Sequence, residues 1–285
     1  MNSLVFKIAI RLIVYPALAF AGLSFVFFWL YAHPKRYPGA QTPKAFGLKF
    51  EAVKLKTSDG VELDAWLVPN AASKKAVVIC HGYPMDKSDV LGLTDFLAKD
   101  FNLLYFDFRA TGHSGGFFAT GGARETRDID AALDFLKERG FGGAGVFGFS
   151  MGGAAALLSK NPAIKARALD SPYADLAGQL NYIFGGWGAL RGPLVTLTKG
   201  WSLLLMGVNI SSVSPVRNAE AYKAPLLLLH GTEDSAVPAA NSRAIKAAAP
   251  AAELWLIERA GHGETRLRAG EAYDKRVRDF FRRTL

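Results

Sequence analysis

The chain carries one cysteine, Cys80, in 285 residues. One thiol cannot close an intramolecular disulfide, and its place in the apolar run Ala76–Cys80 predicts a buried, inert group. Only five histidines are present. No Cys/His cluster has metal-ligand spacing, so no metal and no other cofactor is expected. Internal repeats and low-complexity blocks are absent. Acidic side chains are in the minority, 25 against 34 Lys and Arg, for a net charge of +9. No base-reading motif accompanies that charge, so nucleic acid is not an expected partner. Attraction to anionic membrane lipid fits it better, although a solvated helix face is the commonest fate of such charges.

One stretch lacks charge altogether. Leu12 to Tyr31 is an apolar run flanked by Lys7 and Arg11, the only charged side chains among the first 31 residues, which leaves +7 on the remainder. About 20 helical residues cross a hydrocarbon core of about 30 Å. Trp29 and Tyr31 are suited to an interface, and Pro16 falls near the start of the run, where it costs least. The small-residue patterns Ala17-Leu18-Ala19 and Ala19-Phe20-Ala21 also resemble signal-peptidase sites. Cleavage there would leave Ser24–Tyr31 as an exposed apolar end, so residues 1–31 are expected to be an uncleaved, single-pass anchor. Basic residues on both sides leave the side of the membrane open.

Residues 32–47 hold three prolines and few apolar residues and are expected to be a linker. Residues 48–285 then alternate. Strand-like runs occur near 50–57, 61–68, 76–80, 103–106, 145–149, 165–169, 226–229 and 253–257. Helical patterns fall at about 90–99, 125–139, 151–160, 239–248 and 266–281. This order predicts an α/β fold: a mostly parallel, eight-stranded sheet with helices on both faces. More than fifty residues separate the sixth and seventh runs, too many for a plain connection. A helical cap at about 174–215 is expected there, rich in Leu, Gly, Trp and Phe.

Gly148-Phe149-Ser150-Met151-Gly152 fits Gly-x-Ser-x-Gly, a sharp strand-to-helix turn that lifts a serine hydroxyl out of the fold. In a chain with 29 glycines the pattern needs support from context, and the context supplies it. A serine needs a base to take its proton, and the base needs a carboxylate to fix its tautomer. His262 lies just after the last strand and Asp234 just after the penultimate one, where parallel sheets place their sites. Asp170, after the strand that follows the elbow, is the rival acid. His81 begins His81-Gly82-Tyr83 and is expected to shape an oxyanion loop, with the backbone N–H groups of Tyr83 and Met151 as donors.

Taken together, His81-Gly82, Asp107 to Gly115, Gly148–Gly152, Asp170-Ser171-Pro172-Tyr173, His230 to Asp234 and Gly261-His262 resemble the serine-type α/β-hydrolases over residues 48–285. In finer detail the chain is similar to their membrane-anchored, dienelactone-hydrolase-like and prolyl-oligopeptidase-like branch, and within it to the Bem46-like proteins. It departs at Ala110, where a glycine is usual, and at Gly263-Glu264, where a polar pair often follows the histidine. The resemblance and the residues imply ester or thioester hydrolysis with Ser150, His262 and Asp234. Trp187, Trp201, Phe184 and Leu203–Met206 suggest a slot for an acyl ester substrate, although the same residues could simply pack the cap onto the core. A peptidase or amidase of the same fold and an inactive, membrane-tethered binding protein are the alternatives. Oligomeric state is not legible.

Overall fold

The computed structural model describes residues 3–285. It begins with α1 (Ser3–Ala32), a single helix with Pro16 inside it. Phe6–Ala32 is 27 residues long and apolar enough to cross a membrane, about 40 Å at helical rise. The segment expected as a linker is pinned to the domain. Arg36 donates to the carbonyls of Ser114 and Gly116, and a 3-10 turn, Pro43–Phe46, sets Phe46 against the core.

Eight strands follow: β1 (Glu51–Lys56), β2 (Glu62–Val68), β3 (Ala76–Cys80), β4 (Asn102–Phe106), β5 (Ala144–Phe149), β6 (Ile164–Asp170), β7 (Leu226–Gly231) and β8 (Glu253–Ile257). They form one sheet in the order β1-β2-β4-β3-β5-β6-β7-β8. β2 runs antiparallel to both neighbours, and every other pair is parallel. The exposed edge strand β1 carries Glu51, Lys54 and Lys56, charges that discourage edge-to-edge pairing.

The central strands are buried on both faces because helices cover both. Val78, Cys80, Val146 and Leu228 pack with α3 (Glu125–Glu138), α4 (Met151–Leu158) and α8 (Ala240–Ala248). Their alternates Val77, Ile79, Phe147 and Leu229 face α2 (Leu91–Thr94), the following 3-10 turn Asp95–Lys99, and α10 (Glu271–Thr284). This is why those strands read as continuous apolar runs. Two expected helices differ in detail. The run at 90–99 divides into α2 and the 3-10 turn. The run at 266–281 divides into α9 (Thr265–Ala269) and α10 at Gly270, whose φ of 55° no continuous helix contains.

Between β6 and β7 stand the cap helices α5 (Leu176–Ile183) and α6 (Arg191–Trp201), and then α7 (Pro215–Ala219), whose Ala219 is buried in the main core. A 3-10 turn at Gly185–Leu190 and a π-turn at Ser202–Met206 link them. The chain steps from β3 to β4 on one side and returns to β5 on the other. That reversal opens a crevice at the carboxyl ends of β3 and β5, where such sheets bind ligands.

Candidate active site

Ser150 occupies the turn from β5 into α4. Its φ of 52° and ψ of −117° lie outside the ordinary L-residue regions, a strain of roughly 1–3 kcal/mol. The surroundings fix it there: its N–H donates to the carbonyl of Asp170 (2.8 Å), and its carbonyl accepts from Ala154 (3.1 Å). The flanking glycines are required by space. A Cβ on Gly152 would stand 2.4 Å from the Cys80 carbonyl oxygen, and one on Gly148 would stand 2.6 Å from Gly153 Cα.

The folded chain brings Ser150, His262 and Asp234 together. The Ser150 hydroxyl lies 3.0 Å from His262 Nε2, and His262 Nδ1 lies 2.7 Å from Asp234 Oδ2. A carboxylate can only accept, so Nδ1 carries the proton and Nε2 is left to accept from the serine. The Phe149 ring, 4.8 Å away between centroids, packs against the imidazole. Burial alone would raise the Asp234 pKa. The nearby His230 N–H and the hydrogen bonds from His262 and the Val237 N–H outweigh it and hold the carboxyl well below the usual carboxylate range. Asp234 Oδ1 also accepts from the N–H groups of Ala236 (3.0 Å) and Val237 (2.8 Å).

Sequence reading gave no role to His230. The structure buries it with Nε2–H donating to the Val237 carbonyl (2.7 Å) and standing 3.4 Å from Asp234 Oδ2. Nδ1 meets the Ser242 hydroxyl at 2.7 Å. His230 thus braces the loop that aims Asp234. Its spacing of four from Asp234 was the available signal, hidden because the turn between them is not helical.

The rival acid Asp170 is placed elsewhere. It is fully buried and accepts from Thr265 (2.5 Å), Tyr273 (2.8 Å) and Ser171 (3.1 Å). Burial raises its pKa. It ties β6 to α9 and α10, and its hydrogen bonds run to hydroxyls rather than to His262. Glu233 faces solvent.

His81 is also a scaffold. Its Nε2 accepts from the Phe108 N–H (2.9 Å), which leaves Nδ1–H to donate to the Gly82 carbonyl (2.6 Å). This fixes the loop that carries Tyr83. The Tyr83 N–H has no hydrogen-bond partner among the described residues. Met151 is the first residue of α4, where backbone N–H groups lack intrahelical acceptors. Tyr83, Met151, Ser150 and His262 line one cavity of about 1050 Å³, to which the cap contributes Leu176, Leu180 and Met206, and whose walls are mostly apolar.

The Asp107 to Gly115 motif proves architectural. Asp107 accepts from the Lys87 ammonium (2.7 Å) and from the N–H groups of Lys87 and His113 (2.8 Å each). Arg109 forks onto Asp128 and Asp59. Ala110 sits at φ 61°, a left-handed conformation that explains why glycine suits the position. Gly263, at φ 79°, meets the same demand in the histidine loop.

Comparison with known proteins agrees with this architecture. A model of the alpha/beta hydrolase family matches residues 77–275. The alpha/beta hydrolase domain-containing protein WAV2 of Arabidopsis thaliana is 31% identical over 271 residues, covering 85% of this chain and 80% of that protein. The uncharacterized protein YqkD of Bacillus subtilis is 26% identical over 239 residues, 80% and 78% of the two chains. Among solved structures, an esterase of Pyrococcus furiosus superposes with a TM-score of 0.75 at 30% identity, covering 89% of this chain and 98% of that one.

Proposed function

The chain belongs to the alpha/beta hydrolase family, and from that premise we propose that it is a serine esterase or thioesterase acting on acyl substrates. The observation that carries the reading is the continuous hydrogen-bonded path Ser150–His262–Asp234 at 3.0 and 2.7 Å, opening into an apolar cavity. Ser150 Oγ attacks the carbonyl carbon while His262 Nε2 takes its proton. Asp234 holds the tautomer and stabilises the imidazolium. The Tyr83 and Met151 N–H groups donate to the developing oxyanion, roughly 3 kcal/mol for one such donor. His262 then protonates the leaving alcohol or thiol, and water releases the acid by the same steps reversed.

Several features favour an apolar acyl group. The cavity is walled by Leu176, Leu180, Ile183 and Met206 beside the reacting serine. α1 fits a single-pass anchor that would hold this cavity beside lipid. The similar Pyrococcus furiosus protein is itself an esterase. Peptide hydrolysis would use the same three residues, but no observation favours it over the ester reading. A disused scaffold has no evident reason to keep Ser150 strained and aligned.

A fluorophosphonate probe tests the reading. Wild type should label, and Ser150→Ala should lose both label and turnover of p-nitrophenyl esters, the latter by about 10⁴-fold or more. Labelling that survives in the variant, or folded wild type that never labels, would refute it.

A further inference from the structure

The final turns of α1 are part of the domain. Phe25 meets Trp201 edge-on at 5.4 Å between ring centroids, and Phe27 meets Phe184 at 5.9 Å and Trp187 at 5.5 Å. The Trp201 indole N–H donates to Ser24 Oγ (3.0 Å). Phe28 and Ala32 are each only 3% exposed, whereas Leu12 and Ile13 are 71% and 69% exposed on the same helix. α1 therefore divides, among the described residues, into a part exposed at Leu12 and Ile13 and a docked C-terminal part.

The docked part reaches the candidate active site. Phe27, Phe28, Leu30, Tyr31 and Ala32 line the cavity that holds Ser150 and His262. Two bonds fasten the end of the helix to loops of that same cavity. The Tyr83 hydroxyl donates to the Tyr31 carbonyl (2.7 Å), and the Ala119 N–H donates to the Ala32 carbonyl (2.9 Å). Tyr83 is also the residue whose free N–H is proposed above as an oxyanion donor. Without these turns the cavity would lack one side, and the Tyr83 loop would lose a fastening.

We infer that α1 is a specificity element as well as an anchor: the acyl chain of the substrate lies along Phe27–Ala32, and these residues set the chain length accepted. The inference rests on the esterase reading and deepens it. A bare tether predicts that acyl selectivity is indifferent to residues 27–32. A wall predicts a selectivity change that grows with chain length, about fourfold in kcat/KM for each methylene that loses or gains burial.

The test uses the full chain in detergent micelles and p-nitrophenyl esters from acetate to dodecanoate. Ala32→Leu should shorten the preferred chain, lowering kcat/KM for dodecanoate by about tenfold or more while acetate changes by less than about threefold. Phe28→Ala should move the optimum toward longer chains. Leu12→Ala with Ile13→Ala, on the undocked part, should leave the profile in place. Fluorophosphonate labelling of each variant separates the two readings. Labelled variants with an unchanged profile, or with equal losses at every chain length, overturn the inference and leave the esterase reading standing. An unlabelled wild type overturns both. Wild type alone provides a second measurement, independent of variant folding: a long-chain fluorophosphonate bearing a diazirine along its acyl chain should cross-link to residues 27–32 after capture by Ser150. Cross-links confined to α5 and α6 would overturn the inference.

Discussion

Two regions face each other across one cavity, and different physics holds them. Below lie the loops at the carboxyl ends of β3, β5, β7 and β8. They are fixed by short hydrogen bonds to buried groups, by charge pairs such as Lys87–Asp107, and by glycines that tolerate no Cβ. Above lie the cap and the end of α1, joined by aromatic edges and aliphatic contacts, with Leu203, Leu204 and Leu205 left exposed. Misplacing reacting groups by about 1 Å can cost about 100-fold in rate, so the lower region needs directional bonds. An apolar chain makes no such demand, and a wall of shape and greasiness suffices to bind it. The division predicts that small changes below abolish turnover, whereas comparable changes above alter selectivity or little at all.

The largest effect expected below comes from Asp234→Asn. An amide can donate where the carboxylate only accepts, which permits the wrong imidazole tautomer, so kcat should fall by about 10⁴-fold with the fold retained. The wild-type pH profile sharpens the point. Because the Asp234 carboxyl is held well below the usual range, it stays ionised throughout mild acid. The Asp234 carboxyl should therefore add no ionisation of its own to the kcat/KM profile between pH 8 and 5. A profile with the slope of two protons in that range would contradict this assignment. The same depressed pKa stabilises the fold above the unfolded carboxylate's range, near pH 4, and that contribution is lost as pH falls toward the folded value.

Gly152→Ala comes next. Its methyl would have to displace the Cys80 and His81 carbonyls, at a cost of about 3 kcal/mol or more. Chemical denaturation should show that loss, together with weaker fluorophosphonate labelling. A variant as stable and active as wild type would mean that the elbow is less tightly packed than its contacts imply. The smallest effect is expected above. Leu204→Ser, at a residue 72% exposed, should change stability by less than about 0.5 kcal/mol and leave acetate-ester turnover intact. A large loss would mean that the exposed leucines help hold the cap, and the contrast between the regions would weaken.

Local pattern made much of this molecule legible. All eight strands appear within a few residues of the apolar runs that announced them. Gly148 and Gly152 mark the elbow because the turn they permit has few other sequence solutions. Ser150, Asp234 and His262 could be proposed in chain order because each follows a strand on a parallel sheet, and strand ends are readable. His230 could not be read, since bracing Asp234 depends on a non-helical turn that brings two residues together across a carboxylate. Arg167 escaped for a related reason. It sits in β6 like a solvent-facing residue, yet it is buried, donating to the Ala156 and Ser159 carbonyls at the end of α4. The break at Gly270 was missed because the apolar spacing continues through it.

The apolar N-terminal run shows where sequence stopped and tertiary structure took over. Length and composition determine that it is a helix able to cross a membrane, because those properties belong to the segment itself. They cannot determine that its last turns meet Trp201, Phe184 and Tyr83, residues from about 50 to 180 positions away. Hydrophobic attraction is non-directional, so an apolar stripe does not specify its partner. Only the folded cap and the Tyr83 loop, by shape and by two hydrogen bonds, decided which apolar surface those turns would share.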